Sequence, residues 1–251
     1  MEKVLNPTVC LFDSGIGGLW LLHECVKKLP NVDFAYFSDN AHVPYGSLSQ
    51  EKLIELSDAV FDEIAKLNPA VAVIACNTVT ARCIEYLRNK YSFSIVGIQP
   101  AVKPAVKVGG KCLVLATPAT ANSSQLHELV EKYGNGEVEV FACPDLAQYI
   151  ENNLENIDEE YIKSILPKIK CDNVVLGCTH YIYIKDIIST YYKCPTFDGI
   201  AATANNVVTK LNMSGEQHQR AQKVMFEWSF ATKNRKIFNS IVTRFGLKPP
   251  D

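Results

Sequence analysis

The chain has 251 residues, of which 47% are hydrophobic and 21% charged, and its formal net charge is −2. This is an ordinary globular composition, and the near balance of charges does not favour nucleic acid as a partner. The sequence lacks a signal-peptide core and any apolar run of the roughly 20 residues that span a bilayer, so we expect a cytoplasmic protein without a membrane partner.

Short runs rich in Val, Ile and Phe alternate with longer amphipathic stretches along the chain. Strands are predicted at 8–12, 32–38, 71–76, 94–98, 112–116, 137–142 and 173–177. Helices are predicted at 18–29, 50–67, 79–90, 121–132, 158–169, 181–192 and 200–212. The alternation is typical of α/β proteins with mostly parallel sheets. Towards the end, the pattern predicts a loop at 213–218, a late strand at 223–231 and a closing helix at 234–245.

A weak internal repeat divides the chain. Cys76 and Cys178 are separated by the same offset as "VCLF" at 9–12 and "KCLV" at 111–114. A period of about a hundred residues favours duplicated α/β domains over a solenoid, whose units are roughly 20–50 residues. Coincidence is the competing interpretation, because few residues are identical.

Both cysteines follow a predicted strand, in "ACNT" (75–78) and "GCTH" (177–180). Ligands of open parallel sheets bind at the carboxyl ends of strands, so two facing domains would present one thiol each to a shared ligand. A thiol near a helix N-terminus ionises more easily, and Asp13 or His180 could assist a neighbouring sulfur. The alternative is a pair of buried strand-end cysteines followed by helix caps; their recurrence at equivalent positions favours function.

The nine cysteines form no CxxC pair, and their odd number does not favour a disulfide framework or a zinc ribbon. We expect most of them to be small buried hydrophobic residues. A zinc site built from Cys76, Cys178, His180 and Asp13 is a minor alternative to a site without metal.

Four further stretches contain candidate polar side chains, several of them beside turn signals. "FDSGIGG" (12–18) follows the first strand, and its glycines allow close backbone approach to a ligand, or only a turn capped by Asp13 or Ser14. Pro44, Tyr45 and Gly46 form the next turn, either a ligand-presenting loop or a simple connection. The third set of candidates comprises hydroxyl groups after the fifth strand and one carboxylate near a helix end: Thr117, Thr120, Ser123 and Glu151. The hydroxyl groups could bind a carboxylate or only cap a helix, and an isolated Glu is usually solvated. His23, His42, His127 and His218 show no recognisable partner pattern, and we expect them to be structural or exposed.

The motifs "FDSGIGG", "PYG", "ACNT", "FACP" and "LGCTHY" stand in the order and spacing of the glutamate racemases. The chain resembles that family, which belongs to the cofactor-independent aspartate/glutamate racemase superfamily, from about Val9 to Asp198. The resemblance implies two pseudo-symmetric α/β domains with the active site in the cleft between them. It places the first domain at 1–98 plus 208–251 and the second at 99–207.

By position, the resemblance makes Cys76 and Cys178 the two acid/base residues. It makes Asp13, His180 and Glu151 the residues that assist them. The implied substrate contacts are Asp13, Ser14, Pro44, Tyr45, Gly46, Asn77, Thr78, Thr117, Thr120, Thr179 and His180. The position of Asp39 is also commonly acidic in the family. No cofactor and no metal are implied.

The implied reaction is the interconversion of L- and D-glutamate, with D-glutamate supplied for peptidoglycan and a homodimer as a possible assembly. The chain departs from the usual family pattern at Gln99, Ala101, Ala119 and Ile182. These departures indicate a divergent subgroup and leave another acidic amino acid open as the substrate. The alternatives to a glutamate racemase are a racemase of aspartate or hydantoin type in the same superfamily and a non-catalytic amino-acid-binding protein.

Overall fold

A computed structural model describes residues 8–214, 222–229 and 232–250 of the chain. The strands are β1 (Val9–Asp13), β2 (Phe34–Asp39), β3 (Val71–Ile74), β4 (Ser94–Gly97), β5 (Cys112–Ala116), β6 (Val138–Ala142), β7 (Asn173–Gly177), β8 (Thr196–Phe197) and β9 (Val224–Ser229). The helices are α1 (Leu19–Lys28), α2 (Gln50–Lys66), α3 (Asn77–Lys90), α4 (Val102–Val108), α5 (Pro118–Ala121), α6 (Ser124–Tyr133), α7 (Leu146–Asn153), α8 (Glu159–Ile165), α9 (Lys185–Tyr192), α10 (Ile200–Ser214) and α11 (Thr232–Arg244). Short 3₁₀ helices occupy Tyr45–Ser47 and Thr179–Ile184.

The strands form two sheets, and the predicted α/β architecture is confirmed. One sheet has the order β4-β3-β1-β2-β9 and the other β6-β5-β7-β8, with parallel pairing throughout. We call the first sheet with its packed helices the first lobe, and the second sheet with its helices the second lobe. The central strands β1 and β5 are buried at every position, as expected for apolar strands covered on both faces.

Each sheet has a hydrophobic core on both faces. In the first lobe one core receives α1, α10 and α11, and the other receives α2 and α3. In the second lobe one core receives α7, α8 and α9, and the other α4 and α6. This three-layer packing leaves the strand ends and their connecting loops free to form a site.

The lobes repeat one strand arrangement. β1 lies between β2 and β3, and β5 lies between β6 and β7. Phe12 pairs with Ile74 two residues before Cys76, and Leu115 pairs with Leu176 two residues before Cys178. The structure therefore makes Leu115 the counterpart of Phe12, whereas the sequence repeat pairs Phe12 with Val114.

The chain crosses between lobes twice. The first crossing follows β4, and the second lies between β8 and α10, where a Cβ on Gly199 would overlap the Gln99 carbonyl oxygen. Ala204, Val207 and Leu211 of α10 pack in a core of the first lobe. The division at 99 and 208 stays a prediction, and this packing favours a return to the first lobe near Gly199.

Several predicted elements have different bounds in the structure. The helix predicted at 158–169 ends at Ile165, shortly before Pro167, which has no N–H for a helical hydrogen bond. The one predicted at 121–132 is two helices, because the Ser123 hydroxyl accepts from the Leu126 amide and starts α6. The late strand and closing helix form β9 and α11, whereas residues 215–218 of the predicted loop and His218 lie outside the described residues.

Candidate active site

Cys76 and Cys178 lie at the carboxyl ends of β3 and β7 and open into one cavity between the lobes. Cys76 immediately precedes α3, and Cys178 precedes the 3₁₀ helix Thr179–Ile184. The cavity is lined by Ser14, Pro44, Tyr45, Gly46, Cys76, Asn77, Thr78, Thr117, Ala147, Cys178, Thr179 and His180. The structure therefore brings most of the predicted site residues to one cavity, whereas Asp13, Thr120 and Glu151 are not among its lining residues. The chemical roles of all of them stay predictions.

The cavity is almost closed. Its volume is about 10 Å³, which is close to the space that one water molecule needs. A second space of about 40 Å³ adjoins it and shares Pro44, Gly46, Thr117 and Ala147 with it. An amino acid can enter only if the lobes separate, so this geometry corresponds to a closed arrangement.

The thiol of Cys76 faces a polar group of the first lobe. The Ser14 hydroxyl lies 3.9 Å from Cys76 Sγ, and Asp13 lies behind it at the end of β1. Burial raises the pKa of Cys76, and the neighbouring charge of Asp13 raises it further. The Val79 amide in the first turn of α3 acts in the opposite direction on this pKa. The resting form of Cys76 in the closed site is therefore the thiol.

Asp13 is fully buried and joins the two lobes. Its Oδ1 accepts hydrogen bonds from the Ser14 hydroxyl and the Gly15 amide, both at 3.2 Å, and its Oδ2 accepts from the Thr179 hydroxyl of the second lobe at 3.1 Å. Burial raises the pKa of Asp13, whereas the charge of His180 lowers it. The net shift of the Asp13 pKa is upward.

The thiol of Cys178 faces an imidazole. Cys178 Sγ lies 3.8 Å from His180 Nδ1, and His180 Nε2 lies 2.6 Å from Glu151 Oε2. Burial alone lowers the pKa of His180, but the hydrogen bonds to Cys178 and Glu151 outweigh it and raise this pKa well above its ordinary value. His180 therefore lies between the Glu151 carboxyl group and the Cys178 sulfur, and the upward shift of its pKa favours the protonated imidazole.

Glu151 is buried, whereas an isolated Glu in a sequence is usually solvated. It lies in the last turn of α7 with 1% of its surface exposed, and its Oε2 accepts from the Ile16 amide at 3.2 Å. The Tyr183 hydroxyl donates to the Ile16 carbonyl at 2.8 Å. No sequence pattern predicted a role for Ile16 or Tyr183. Ile16 contributes only its backbone peptide group, and Tyr183 contacts it from a distant segment of the chain.

Two threonine hydroxyl groups, those of Thr78 and Thr117, line the cavity, and the Thr120 hydroxyl lies next to them. Thr78 Oγ1 of the first lobe lies 2.9 Å from Thr117 Oγ1 and 3.4 Å from Thr120 Oγ1 of the second lobe. A Cβ on Gly46 would lie 2.7 Å from Thr117 Cβ, so only glycine allows this close approach. Hydroxyl groups from both lobes therefore meet beside the cavity.

Tyr45 is held by Asp39, which also contacts His42, a histidine for which the sequence showed no partner pattern. The Tyr45 hydroxyl donates to Asp39 Oδ2 at 2.6 Å, and His42 Nδ1 lies 2.8 Å from the same oxygen. Burial raises the pKa of Tyr45, and the charge of Asp39 raises it further. Tyr45 therefore keeps its proton and is fixed in the lining of the cavity. The three-residue spacing of Asp39 and His42 after β2 is the feature of the sequence that could have predicted their contact.

The zinc alternative finds no geometric support in the described part of the chain. Within residues 8–214, 222–229 and 232–250, no three His, Cys, Asp or Glu side chains are grouped so that they could hold a metal ion. No helix among these residues is both long and apolar enough to cross a bilayer.

Comparison with known proteins identifies the class. The family model described as Asp/Glu/Hydantoin racemase matches residues 22–207. A glutamate racemase from Campylobacter curvus (strain 525.92) is 35% identical over 253 residues, which cover 94% of each chain. The crystal structure of Escherichia coli glutamate racemase in complex with L-glutamate and the activator UDP-MurNAc-Ala has a TM-score of 0.84 at 29% identity and covers 96% of both chains. That of the Francisella tularensis enzyme with D-glutamate has a TM-score of 0.83 at 25% identity and covers 95% of this chain and 94% of that one.

The chain belongs to the Asp/Glu/Hydantoin racemase family. Racemases are isomerases, so the chain is an enzyme of that class.

Proposed function

We propose that this enzyme interconverts L- and D-glutamate without a cofactor, using Cys76 and Cys178 as the two acid/base groups. The observation that carries the proposal is the shared cavity, into which one sulfur projects from each lobe. The relatives named glutamate racemase, and the related structures with L- and D-glutamate bound, support glutamate as the substrate. We extend this to the biological role: D-glutamate supplied in the cytoplasm for peptidoglycan.

In the proposed reaction one sulfur, as thiolate, takes the α-proton from one face of the substrate. The opposite sulfur, as thiol, gives a proton to the other face, and the reverse reaction exchanges their roles. Reacting atoms must lie roughly 3–3.5 Å apart, so the lobes must close on the substrate. Asp13 and Ser14 would serve Cys76, and His180 with Glu151 would serve Cys178.

Substrate carboxylates would be bound without Lys or Arg, because none is found among the described residues that line the cavity. The Thr78, Thr117 and Thr120 hydroxyl groups and the amides at the start of α3 are the proposed donors. Positioned acid/base groups contribute about 10²–10⁴-fold in rate, so these dipoles and the exclusion of water must stabilise the developing carbanion as well.

The direct test uses purified protein with L-glutamate in one reaction and D-glutamate in another, followed by chiral chromatography. We expect both reactions to converge on equal amounts of the enantiomers. Aspartate and a hydantoin are assayed in parallel, since the family includes racemases of both kinds. Turnover of one of these and not of glutamate would overturn the substrate assignment, and saturable glutamate binding without turnover would overturn catalysis.

The biological role and the assembly need separate tests. Expression in a bacterium that requires added D-glutamate should permit growth without it, and a Cys76→Ala variant should not.

We also propose a homodimer, which sedimentation velocity would reveal as a species of twice the 27.9 kDa chain mass.

A further inference from the structure

A second pair of cysteines lies away from the cavity, at the other end of the second sheet. Cys171 precedes β7 and Cys194 precedes β8, and their Sγ atoms are 4.0 Å apart. These are the amino ends of the strands, whereas Cys178 follows the carboxyl end of β7. The proposed acid/base chemistry therefore gives this pair no role.

Hydrogen bonds hold the backbone on both sides of the pair. Next to Cys171, the Asp172 amide donates to the Lys111 carbonyl at 2.8 Å, and the Lys111 amide donates to Asp172 Oδ2 at 2.8 Å. Next to Cys194, the Ser189 hydroxyl donates to the Cys194 carbonyl at 2.9 Å. Fixed segments thus hold the two sulfur atoms 4.0 Å apart, and a disulfide would shorten this separation to roughly 2.05 Å.

The pair is also the most accessible thiol pair among the described residues. Cys194 is the one cysteine of that part of the chain that is not buried, and Cys171 is 9% exposed. A groove of about 100 Å³, lined in part by Cys171, Lys111 and Lys170, opens beside Cys171. A small oxidant can therefore approach the pair from solvent, at Cys194 because that residue is only partly buried.

We propose that Cys171 and Cys194 form a reversible disulfide when the protein meets a peroxide, and that this bond clamps β8 to β7. The proposal goes beyond racemisation and does not depend on it. β8 leads directly into the second crossing between the lobes, so the clamp would stabilise the segment that connects the second lobe to α10.

The chemistry requires hydrogen peroxide as the oxidant. The Cys194 thiolate attacks one peroxide oxygen, an S–O bond forms, the O–O bond breaks, and the released hydroxide takes up a proton. The Cys171 sulfur then attacks the sulfenic sulfur, an S–S bond forms, and the S–O oxygen leaves as water. Two thiols lose two electrons and two protons in total, and one peroxide becomes two water molecules.

The order of attack follows from the environment of each thiol. Burial raises the pKa of Cys171 to about 12, and the charge of Cys194 raises it further. Burial also raises the pKa of Cys194, and the hydrogen bond with Cys171 opposes part of that rise. Cys194 is also the less buried of the two thiols, so it is the attacking group. The reaction should accelerate as the pH rises, because the thiolate is the form that attacks.

The test treats the reduced full-length protein with a small excess of hydrogen peroxide and maps the products by mass spectrometry. We expect a loss of 2 Da, a cross-linked pair of peptides containing Cys171 and Cys194, and reversal by dithiothreitol. The melting temperature of the oxidised form should rise by roughly 5–10 °C, as expected for a cross-link that closes a loop of this size.

Two variants provide the controls. Cys194→Ser should abolish the 2 Da loss, and Cys112→Ser, which removes the neighbouring buried thiol, should leave it intact. A 2 Da loss that persists in Cys194→Ser, or a wild-type map in which Cys76 is linked to Cys178 instead, would overturn the proposal. The wild-type map decides the question even if a variant fails to fold.

Discussion

His180 Nε2 lies 2.6 Å from Glu151 Oε2, and both side chains are almost completely buried. The pair connects α7 to the strand-end cysteine, because the other ring nitrogen of His180 faces Cys178. A buried ion pair contributes little to net stability on its own, since desolvation offsets the attraction between the charges. Its position beside Cys178 agrees with the proposed role of His180 and Glu151 in serving that residue.

Replacing Glu151 with Gln tests that purpose. The variant keeps the shape but removes the charge that supports the imidazolium, so the pKa of His180 should fall. We expect kcat/KM to decrease about 100-fold at neutral pH, the lower end of the usual acid/base contribution. The defect should shrink as the pH is lowered, because His180 then regains its proton.

Kinetics with both enantiomers at pH 6–9 would measure this effect, and Glu155→Gln, an exposed substitution shortly after α7, is the matched control. A Glu151→Gln enzyme with wild-type rates, or with the same defect at every pH, would show that Glu151 does not act through His180.

Removing the Tyr183 hydroxyl tests the contact between the lobes. Tyr183→Phe deprives the Ile16 carbonyl of its donor, and the same peptide supports Glu151 through the Ile16 amide. We expect the free energy of unfolding to fall by about 1 kcal/mol. We also expect kcat/KM to fall about tenfold, because a shift of about 1 Å in the position of catalytic groups can lower the rate by up to 10²-fold.

Tyr192→Phe is the matched control for this variant. Its hydroxyl donates to the Pro167 carbonyl at 2.8 Å, within the second lobe and away from the cavity. Denaturant unfolding should show similar losses for the two variants, whereas only Tyr183→Phe should lose activity. Equal kinetics in the two variants would remove any role of Tyr183 in positioning the site.

Removal of a single active-site sulfur tests the need for both lobes. Cys76→Ala and Cys178→Ala should each reduce racemisation by at least about 10²-fold, starting from either enantiomer. Cys83→Ala is the control, because Cys83 is buried on α3 and does not line the cavity. A Cys76 or Cys178 variant that folds and racemises like Cys83→Ala would not be compatible with two acid/base thiols.

Alkaline pH should destabilise the fold through its buried thiols. Burial raises the pKa of Cys10, Cys25 and Cys143 to about 12, and that of Cys83 and Cys112 to about 11. Their stabilising contribution is complete below the unfolded-state pKa near 9 and is lost as the pH rises through the folded-state values. At pH 10, each of these thiols should lower the free energy of unfolding by about 1.4 kcal/mol, because it is ionised in the unfolded state and protonated in the folded state.

Circular dichroism combined with pulse alkylation would follow this transition. Unfolding and alkylation of the buried cysteines should occur together near pH 10. Individual alkylation with a midpoint near pH 9, in protein that remains folded, would contradict the predicted protection.

The sequence predicted the sheets well because their strands are short runs of Val, Ile and Phe, whose burial on both faces leaves a continuous apolar pattern. The same logic placed Cys76 and Cys178 at strand ends. The short β8 and α4 were not predicted, since Thr196 and Phe197 are too few to form a pattern and α4 contains Pro104. Short elements of this kind depend on the packing of the finished lobe.

The partners around the two thiols could not be derived from local sequence. The contacts of Ile16 with Tyr183, and of His180 with Glu151, join segments that are far apart in the chain. No periodicity encodes such a pairing, and the resemblance to glutamate racemases suggested Glu151 only by position. The three-dimensional structure supplies its partner, its burial and hence its proposed function.

The central claim is that two sulfur atoms act on opposite faces of one carbon. The most direct measurement incubates each glutamate enantiomer with the enzyme in heavy water and follows α-deuterium at early times. The proposed arrangement predicts deuterium mainly in the inverted product and little in the recovered substrate. Equal labelling of both from the first turnovers would indicate a single base and contradict it.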